Sequence, residues 1–396
     1  MDLYLQFGWG MMDHGRKLIK KWGGGVSILS ARDLTDEQLV SLSRQLQELG
    51  GSVLLDPQFY LPRSQHHRLT AHAYWPQDYE TTGFAGPAMQ GMMTTLAQLN
   101  STLQTTYFIV PGERAEDVDE LWLDSQRDLI NTARRSTDQP LMVTICLSDS
   151  AVRDVEQISR IMDEVSERPV DAYYLVLEKP RTAYLTDDPV WVARCLDLAA
   201  GLRRTLAEVV VGYSNHQQLV MACSGVTAIA SGTYANVRSF PLSKFQAQQG
   251  RPMQRAVWYY YPQALSEYRL PYLDIAFRKG LREELLPQPE TGYAEPLFAG
   301  SQPSASGWSE PQAFRHYLCA LRQQARGAVQ STFDATLQSC RATLDRAEAL
   351  IQHLGEHGVY AERRTFAKAL LANRSGLNVL EQTQGPVLRH EWSTLA

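Results

Sequence analysis

Val209-Val210-Val211-Gly212-Tyr213 and Val226-Thr227-Ala228-Ile229-Ala230-Ser231 stand almost back to back near the middle of the chain, separated by a short helical stretch from Asn215 to Ser224. Two apolar, β-branched runs joined by one helix read as a βαβ unit, with parallel strands buried on both faces. In a repeating β/α chain, chemistry collects at the carboxyl ends of the strands, where the loops emerge. The residues gathered there are Tyr213, Asn215, His216, Ser231, Gly232, Thr233, Asn236 and Arg238.

Outward from this unit the same alternation continues. Strand-like runs occur at Leu3–Phe7, Val26–Ser30, Val53–Asp56, Thr106–Val110, Met142–Leu147 and Ala172–Glu178. Most are continuous apolar runs, as expected of a parallel sheet covered on both sides. Between them lie helical patterns. Asp36–Leu49 places Leu39, Leu42, Leu46 and Leu49 on one face behind a cap at Thr35 or Asp33, and Gly50-Gly51 stops it. Asp149–Glu167 and Pro189–Leu206 follow the same logic, the second with Trp191, Leu196, Leu198 and Leu202 at helical spacing. Eight repeats predict an α/β fold of the (β/α)8 TIM-barrel type over residues 1–286, with the helix after the last strand displaced.

Two stretches depart from the repeat. Residues 61–104, including His66-His67, His72 and Gly83-Phe84-Ala85-Gly86-Pro87, exceed an ordinary crossover and read as an inserted lid or substrate loop after the third strand. Beyond the repeats, Ala256–Tyr261 predicts one further strand, followed by a helix through Ile275–Leu286. Residues 287–309, rich in Pro, Gly and Ser, read as a linker, and residues 310–396 as a helical segment offering a docking surface to a protein partner.

The composition narrows the function classes. A net charge of −5 gives no domain-wide basic excess of the kind that marks nucleic-acid binders, although a local patch can hide in that sum. No apolar run approaches the roughly 20 residues that span a bilayer. The first residues are strand-like, without the basic start and apolar core of a signal peptide. Five scattered cysteines without a Cys-x-x-Cys pair read as reduced thiols rather than a zinc site. The expectation is a soluble cytoplasmic protein with no metal and no cofactor. The histidines of the insertion lack metal-ligand spacing and read as solvated.

Four groups carry candidate chemistry. Asp56 ends the third strand before Pro57, where a partly desolvated carboxylate can act as acid, base or nucleophile, or simply cap an Asx turn. Gln58 and Tyr60 follow it. Glu178 ends the sixth strand; Lys179 beside it offers a surface partner, and Asp56 with Glu178 would make a carboxylate pair across the mouth. His216 is a candidate acid/base at a helix start that Asn215 can cap. Ser231-Gly232-Thr233 lies where barrels cradle phosphate, and Arg238 could complete an anion site. The alternative reading of that triplet is a common turn. Asp13-His14 makes a weak pair. Gly23-Gly24-Gly25 reads as a turn, and Tyr259-Tyr260-Tyr261 as a half-buried strand rather than a base-stacking platform.

The layout over residues 35–240 resembles the tRNA-guanine transglycosylase superfamily, including its DNA-acting 7-deazaguanine relatives. Leu46–Phe59 resembles the family's helix, glycine stop and strand ending in an aspartate of a DSGGFQ-type motif. Val170–Val176 resembles its following strand, and Val211–Ser231 its block ending in the nucleophilic aspartate. The resemblance implies base exchange at a ribose C1′, with Asp56 as acid/base and a nucleobase, nucleotide, tRNA or DNA as substrate. Ala230, followed by Ser231, stands at the nucleophile position, Leu147-Ser148-Asp149 replaces the base-recognition Gln-Gly-Gly, and the zinc motif is absent.

The leading expectation is thus a transglycosylase-like enzyme. Asp56, Glu178, His216 and Ser231 form its catalytic set. Its substrate-binding set is Gln58, Tyr60, Asp149, Tyr213, Asn215, Gly232, Thr233, Asn236 and Arg238. The alternatives are an inactive barrel that binds nucleic acid or a partner in a modification or antiphage system, and a metal-independent hydrolase using Asp56 and Glu178.

Overall fold

A computed structural model describes residues 1–76, 86–246 and 256–395. Gly83, Phe84 and Ala85 of the expected lid lie outside the described residues. The chain runs β1 (Asp2–Gln6), α1 (Met11–Trp22), β2 (Gly25–Ser30), α2 (Asp36–Glu48), β3 (Gly51–Asp56), α3 (Gly86–Leu103), β4 (Phe108–Val110), β5 (Arg114–Ala115), α4 (Glu120–Ser136) and β6 (Leu141–Leu147). It continues through α5 (Asp149–Arg153), α6 (Val155–Glu167), β7 (Ala172–Leu177), α7 (Pro189–Arg204), β8 (Glu208–Val211) and β9 (Ala228–Ser231). All nine strands belong to one parallel sheet, ordered β3-β2-β1-β9-β8-β7-β6-β4, with β5 also paired to β6. β4 and β5 are two pieces of one interrupted strand lying along β6. The eight expected strands are present, each within a residue or two of its expected start.

The sheet curls so that β1 pairs with β9, Asp2 against Ala228 through Leu5 against Ser231. The closed barrel expected from the eight repeats is not reached. No ladder joins β3 to β4; a single backbone hydrogen bond, Thr106 N–H to Val53 O at 3.2 Å, crosses the gap near one end, and Arg114 N–H to Tyr60 O at 3.0 Å crosses it near the other. The opening falls where the long segment between β3 and β4 leaves the sheet. On its other side β4 keeps a three-residue ladder to β6. The fold is a curled, barrel-like α/β sheet with an open seam.

Local signals behave as their chemistry requires. Thr35 caps α2 and forms a reciprocal capping box with Gln38. The expected helix Asp149–Glu167 is split by Asp154, which ends α5 and caps α6 through Glu156 N–H and Gln157 N–H. The stretch after Asn215 is a 3-10 helix, His216–Ser224. Histidines expected to be solvated are not all so. His66 and His72 are buried, and His72 anchors the insertion to Asp36 (2.6 Å) and to the Ala31 carbonyl (2.5 Å).

Beyond the sheet, β10 (Trp258–Tyr261) pairs antiparallel with β11 (Ser266–Arg269), a strand with no sequence expectation. The helices α8 (Leu270–Arg278), α9 (Glu295–Phe298), α10 (Glu310–Ala328), α11 (Phe333–Glu356), α12 (Ala367–Thr383) and α13 (Gly385–Leu395) complete the chain. Within 287–309, Leu297 and Phe298 of α9 are buried in a small core with Tyr259, Tyr268 and Trp308. α10 packs on β1, β9 and α1, which is the position of the displaced eighth helix. α12 lies along α7, where Gly376 allows contact: a Cβ there would sit 2.6 Å from Val192 Cγ1. No helix among the described residues is long and apolar enough to cross a membrane.

Because residues of α10–α13 share the main core with the sheet, the two should unfold together. Leu321→Ala, at a wholly buried position of α10, should cost about 2–5 kcal/mol in urea denaturation and keep a single transition. A separate transition for the carboxyl-terminal helices would show that they are an independent unit.

Candidate active site

Asp56 is the last residue of β3 and is 1% exposed. Its Oδ1 accepts the Gln58 N–H at 2.9 Å, an Asx turn that Pro57 initiates. Its Oδ2 accepts the Tyr60 hydroxyl at 2.8 Å, and the hydroxyls of Tyr213 and Tyr174 stand 3.3 and 3.4 Å away. One hydroxyl carries one proton. Tyr174 spends its own on Gln6 Oε1 at 2.8 Å, which leaves Tyr60 and Tyr213 as the donors to the carboxylate. Burial pushes the Asp56 carboxyl up to about 6, against the opposing pull of Tyr60, the Gln58 amide, Lys244 and Tyr213.

The groups around the carboxylate are themselves held. Gln58 Oε1 accepts from the Arg32 N–H (2.8 Å), so its Nε2 is the atom that donates to the Tyr213 hydroxyl at 2.9 Å; the Ser30 hydroxyl beside it donates to Asp33 Oδ2 (2.9 Å). Both partners have left-handed backbones, Gln58 at φ 55° and Tyr213 at φ 49°. Such conformations cost side-chain-bearing residues of order 1–3 kcal/mol each and persist only where surrounding contacts over-determine them. Phe240 and Phe245 pack edge-on against Tyr60 at 5.2 and 5.1 Å. Lys244 is buried beside them, 3.3 Å from Asp33 and 5.7 Å from the Tyr213 ring.

Glu178 does not pair with its neighbour. Its carboxylate is held by Arg114 of β5 at 2.6–2.7 Å, while Lys179 turns inward, donates to the Tyr184 carbonyl at 2.9 Å, and is brought by burial down to about 7. Burial pushes the Cys146 thiol well up, Arg114 opposes the rise, and Glu178 and Asp56 each add to it, which places both carboxylates near that thiol. They occupy the same end of the sheet, but no hydrogen bond links them among the described residues.

A second buried cluster borders the first. Asn215 caps its 3-10 helix through the Gln217 N–H, and its Nδ2 donates to the carbonyls of Tyr184 (2.7 Å) and Arg238 (3.0 Å), tying three loops together. Arg238, expected as a free anion fork, is taken up internally. It donates to the Gly232 carbonyl (2.9 Å), lies 3.3 Å from Glu267 Oε2 and stacks 3.5 Å over Tyr317. Burial alone would raise Glu267, but Arg364 and Arg238 hold it at about 2. The loop at Gly232 is pressed against β1, since a Cβ there would stand 2.3 Å from the Gln6 carbonyl. Among the described residues, Ser231 Oγ and Thr233 Oγ1 are buried without hydrogen-bond partners. His216 is wholly buried among Tyr184, Tyr260, Tyr317 and Phe366, and burial lowers it to about 3.

Two expected substrate-binding residues lie apart from both clusters. Asn236 is exposed, and Asp149 pairs with Arg153 in the first turn of α5. Conversely, Tyr174, Gln6, Phe240, Phe245 and Lys244 belong to the Asp56 environment without having been singled out in the sequence. Among the described residues no group of three or more His, Cys, Asp or Glu could hold a metal ion.

The elevated Asp56 has a definite signature in stability. A folded-state value raised above the unfolded one adds stability that is complete below the unfolded pKa and is lost as pH rises through about 6. The displacement from the usual carboxylate range corresponds to about 3 kcal/mol. Asp56→Asn removes this titration. From about pH 3 to about pH 8 the stability difference between the two proteins should therefore move by about 3 kcal/mol in favour of the variant in urea denaturation. An unchanging difference would show that Asp56 titrates normally.

The chain matches no protein-family model and no curated protein.

Proposed function

We propose that the chain is a transglycosylase-like protein that carries out glycosidic-bond chemistry on a nucleobase, nucleotide or nucleic acid, with Asp56 as its acid/base. The observation that carries this reading is a single one. A carboxyl group buried at the end of a parallel strand, under an aromatic roof and among tyrosine hydroxyls, has its pKa near neutrality. Such a group can give a proton to a departing base as the bond to C1′ breaks and take one back from an incoming base. Tyr60 and Tyr213 would steady the carboxylate in its charged form, and Gln58, held by the Arg32 N–H, would keep Tyr213 in place.

The resemblance to the transglycosylase superfamily supports the reading at Asp56 and weakens it at the nucleophile. Ala230 has no nucleophilic group, and Ser231 Oγ has no base hydrogen-bonded to it. That observation favours a second reading, an inactive barrel that binds nucleic acid or a protein partner in a modification or antiphage system. Hydrolysis by paired carboxylates gains little, because Glu178 is held by Arg114.

Labelled guanine or a labelled 7-deazaguanine, incubated with the protein and either tRNA or duplex DNA, separates these readings. Incorporation by the wild type and its loss, by at least 100-fold, in Asp56→Asn is the expected result; general acid–base groups contribute about 10²–10⁴-fold. Undiminished incorporation by the variant would remove Asp56 from the mechanism. Retention of nucleic acid without incorporation would select the binding reading.

A further inference from the structure

Lys244 reaches the surroundings of Asp56 from the 3-10 turn Leu242–Phe245. Its side chain is 2% exposed, and its ammonium makes no hydrogen bond among the described residues. It stands 3.3 Å from Asp33 Oδ2, in ion-pair reach, and 5.7 Å from the ring of Tyr213, whose hydroxyl is 3.3 Å from Asp56 Oδ2. The turn is held from below the ammonium, where Arg32 Nε donates to the Lys244 carbonyl at 2.7 Å.

Asp33 is already matched without this cation. Its Oδ1 pairs with Arg32 Nη1 at 2.9 Å, and its Oδ2 accepts the Ser30 hydroxyl at 2.9 Å. Arg32, Asp33 and Lys244 together therefore carry one positive charge in excess. The phenols Tyr60, Tyr74, Tyr174 and Tyr213 and the Cys146 thiol, which surround Asp56, are pushed far up by burial and stay neutral. His66, beside Arg32, is brought down to about 4 by burial and is neutral as well. Glu178 and Asp36 have partners of their own in Arg114 and His72. The set Arg32, Asp33, Lys244 and Asp56 is thus electrically balanced only when Asp56 is ionised. Desolvating an ammonium there carries a cost that an apolar side chain of similar length would not incur.

We infer that Lys244 is a positioning residue for Asp56, the counter-charge that the carboxylate meets when Asp56 gives up its proton. Its meaning for the reaction rests on the reading of Asp56 as acid/base. As the bond to C1′ breaks, the proton passes from Asp56 to the departing base and a buried carboxylate remains; a fixed positive charge nearby lowers the energy of that state. The electrostatics of the folded chain run the same way. Burial raises Asp56, and Lys244 draws it back, behind Tyr60 and the Gln58 amide. Burial lowers Lys244 in turn, Asp33 raises it, and Asp56 adds to that rise.

Urea denaturation from about pH 3 to about pH 9, with each protein beside the same protein carrying Asp56→Asn, reads the proton on Asp56 without any turnover. The stability difference within each pair levels off above the pH at which Asp56 loses its proton in the folded chain. Lys244→Met should move that point up by about one pH unit, the lower end of what a nearby opposite charge does to a carboxyl. Lys244→Gln should move it likewise, and carries the test if Lys244→Met fails to fold. Asp33→Asn, which keeps the ammonium and removes a negative charge, should move it down. Opposite movements separate charge from packing, since loosened packing alone would not reverse with the sign of the charge removed. The inference is overturned if the Lys244 variants leave the point unmoved or lower it, if Asp33→Asn raises it, or if the wild-type pair shows no pH-dependent difference. The expected movements without base exchange would uphold the counter-charge and count against the function proposed for Asp56.

Discussion

The pairing of β1 with β9 sets the geometry on which everything else rests. Joining the first strand to the last bends eight strand positions into a curl, and parallel strands direct all their carboxyl ends the same way. Gln6, Asp56, Glu178, Tyr213 and Ser231 are brought to one end by that single constraint, although they are scattered over most of the sheet-forming chain. The pressure of the Gly232 loop on the Gln6 carbonyl marks how tightly the seam between β1 and β9 is drawn. The opposite seam, between β3 and β4, stays open in its ladder, and α3 packs on β3 between α2 and α4.

At the end of the curl the dominant energy is desolvation. Asp56 is deprived of water and receives in exchange one backbone N–H and two phenolic hydroxyls, too little to restore an ordinary carboxylate. In the second cluster the balance goes the other way: Glu267, equally buried, is matched by two guanidinium groups and stays charged. The contrast separates a group prepared to exchange a proton from one that fastens the hairpin to the barrel. It also explains why Arg238 is unsuited to a bound phosphate while Glu267 holds it.

Much of the candidate site was readable at the level of position. Asp56 stands at a strand end before a proline, and that local pattern sufficed to single it out. Tyr174 and Gln6 were not readable. β7 is buried on both faces, so its continuous apolar run offers no alternation to tell which of Tyr173 and Tyr174 points toward the inside of the curl. Lys179 was misjudged for a related reason, because a lysine after a strand ordinarily seeks water, and only the packing of Tyr184 over it turns it inward.

The succession of strands and helices, the caps and the glycine stops were determined by the sequence alone, since they depend on interactions between residues a few positions apart. Tertiary structure decided what those elements could not: that the sheet curls without a closing ladder, that Glu178 pairs with Arg114, that Arg238 pairs with Glu267, and that Gln58 supports Tyr213. The last two partners lie 155 positions apart in the chain. Their energy comes from burial and hydrogen bonding between distant segments, and it exists only once the β1–β9 pairing has brought those segments together.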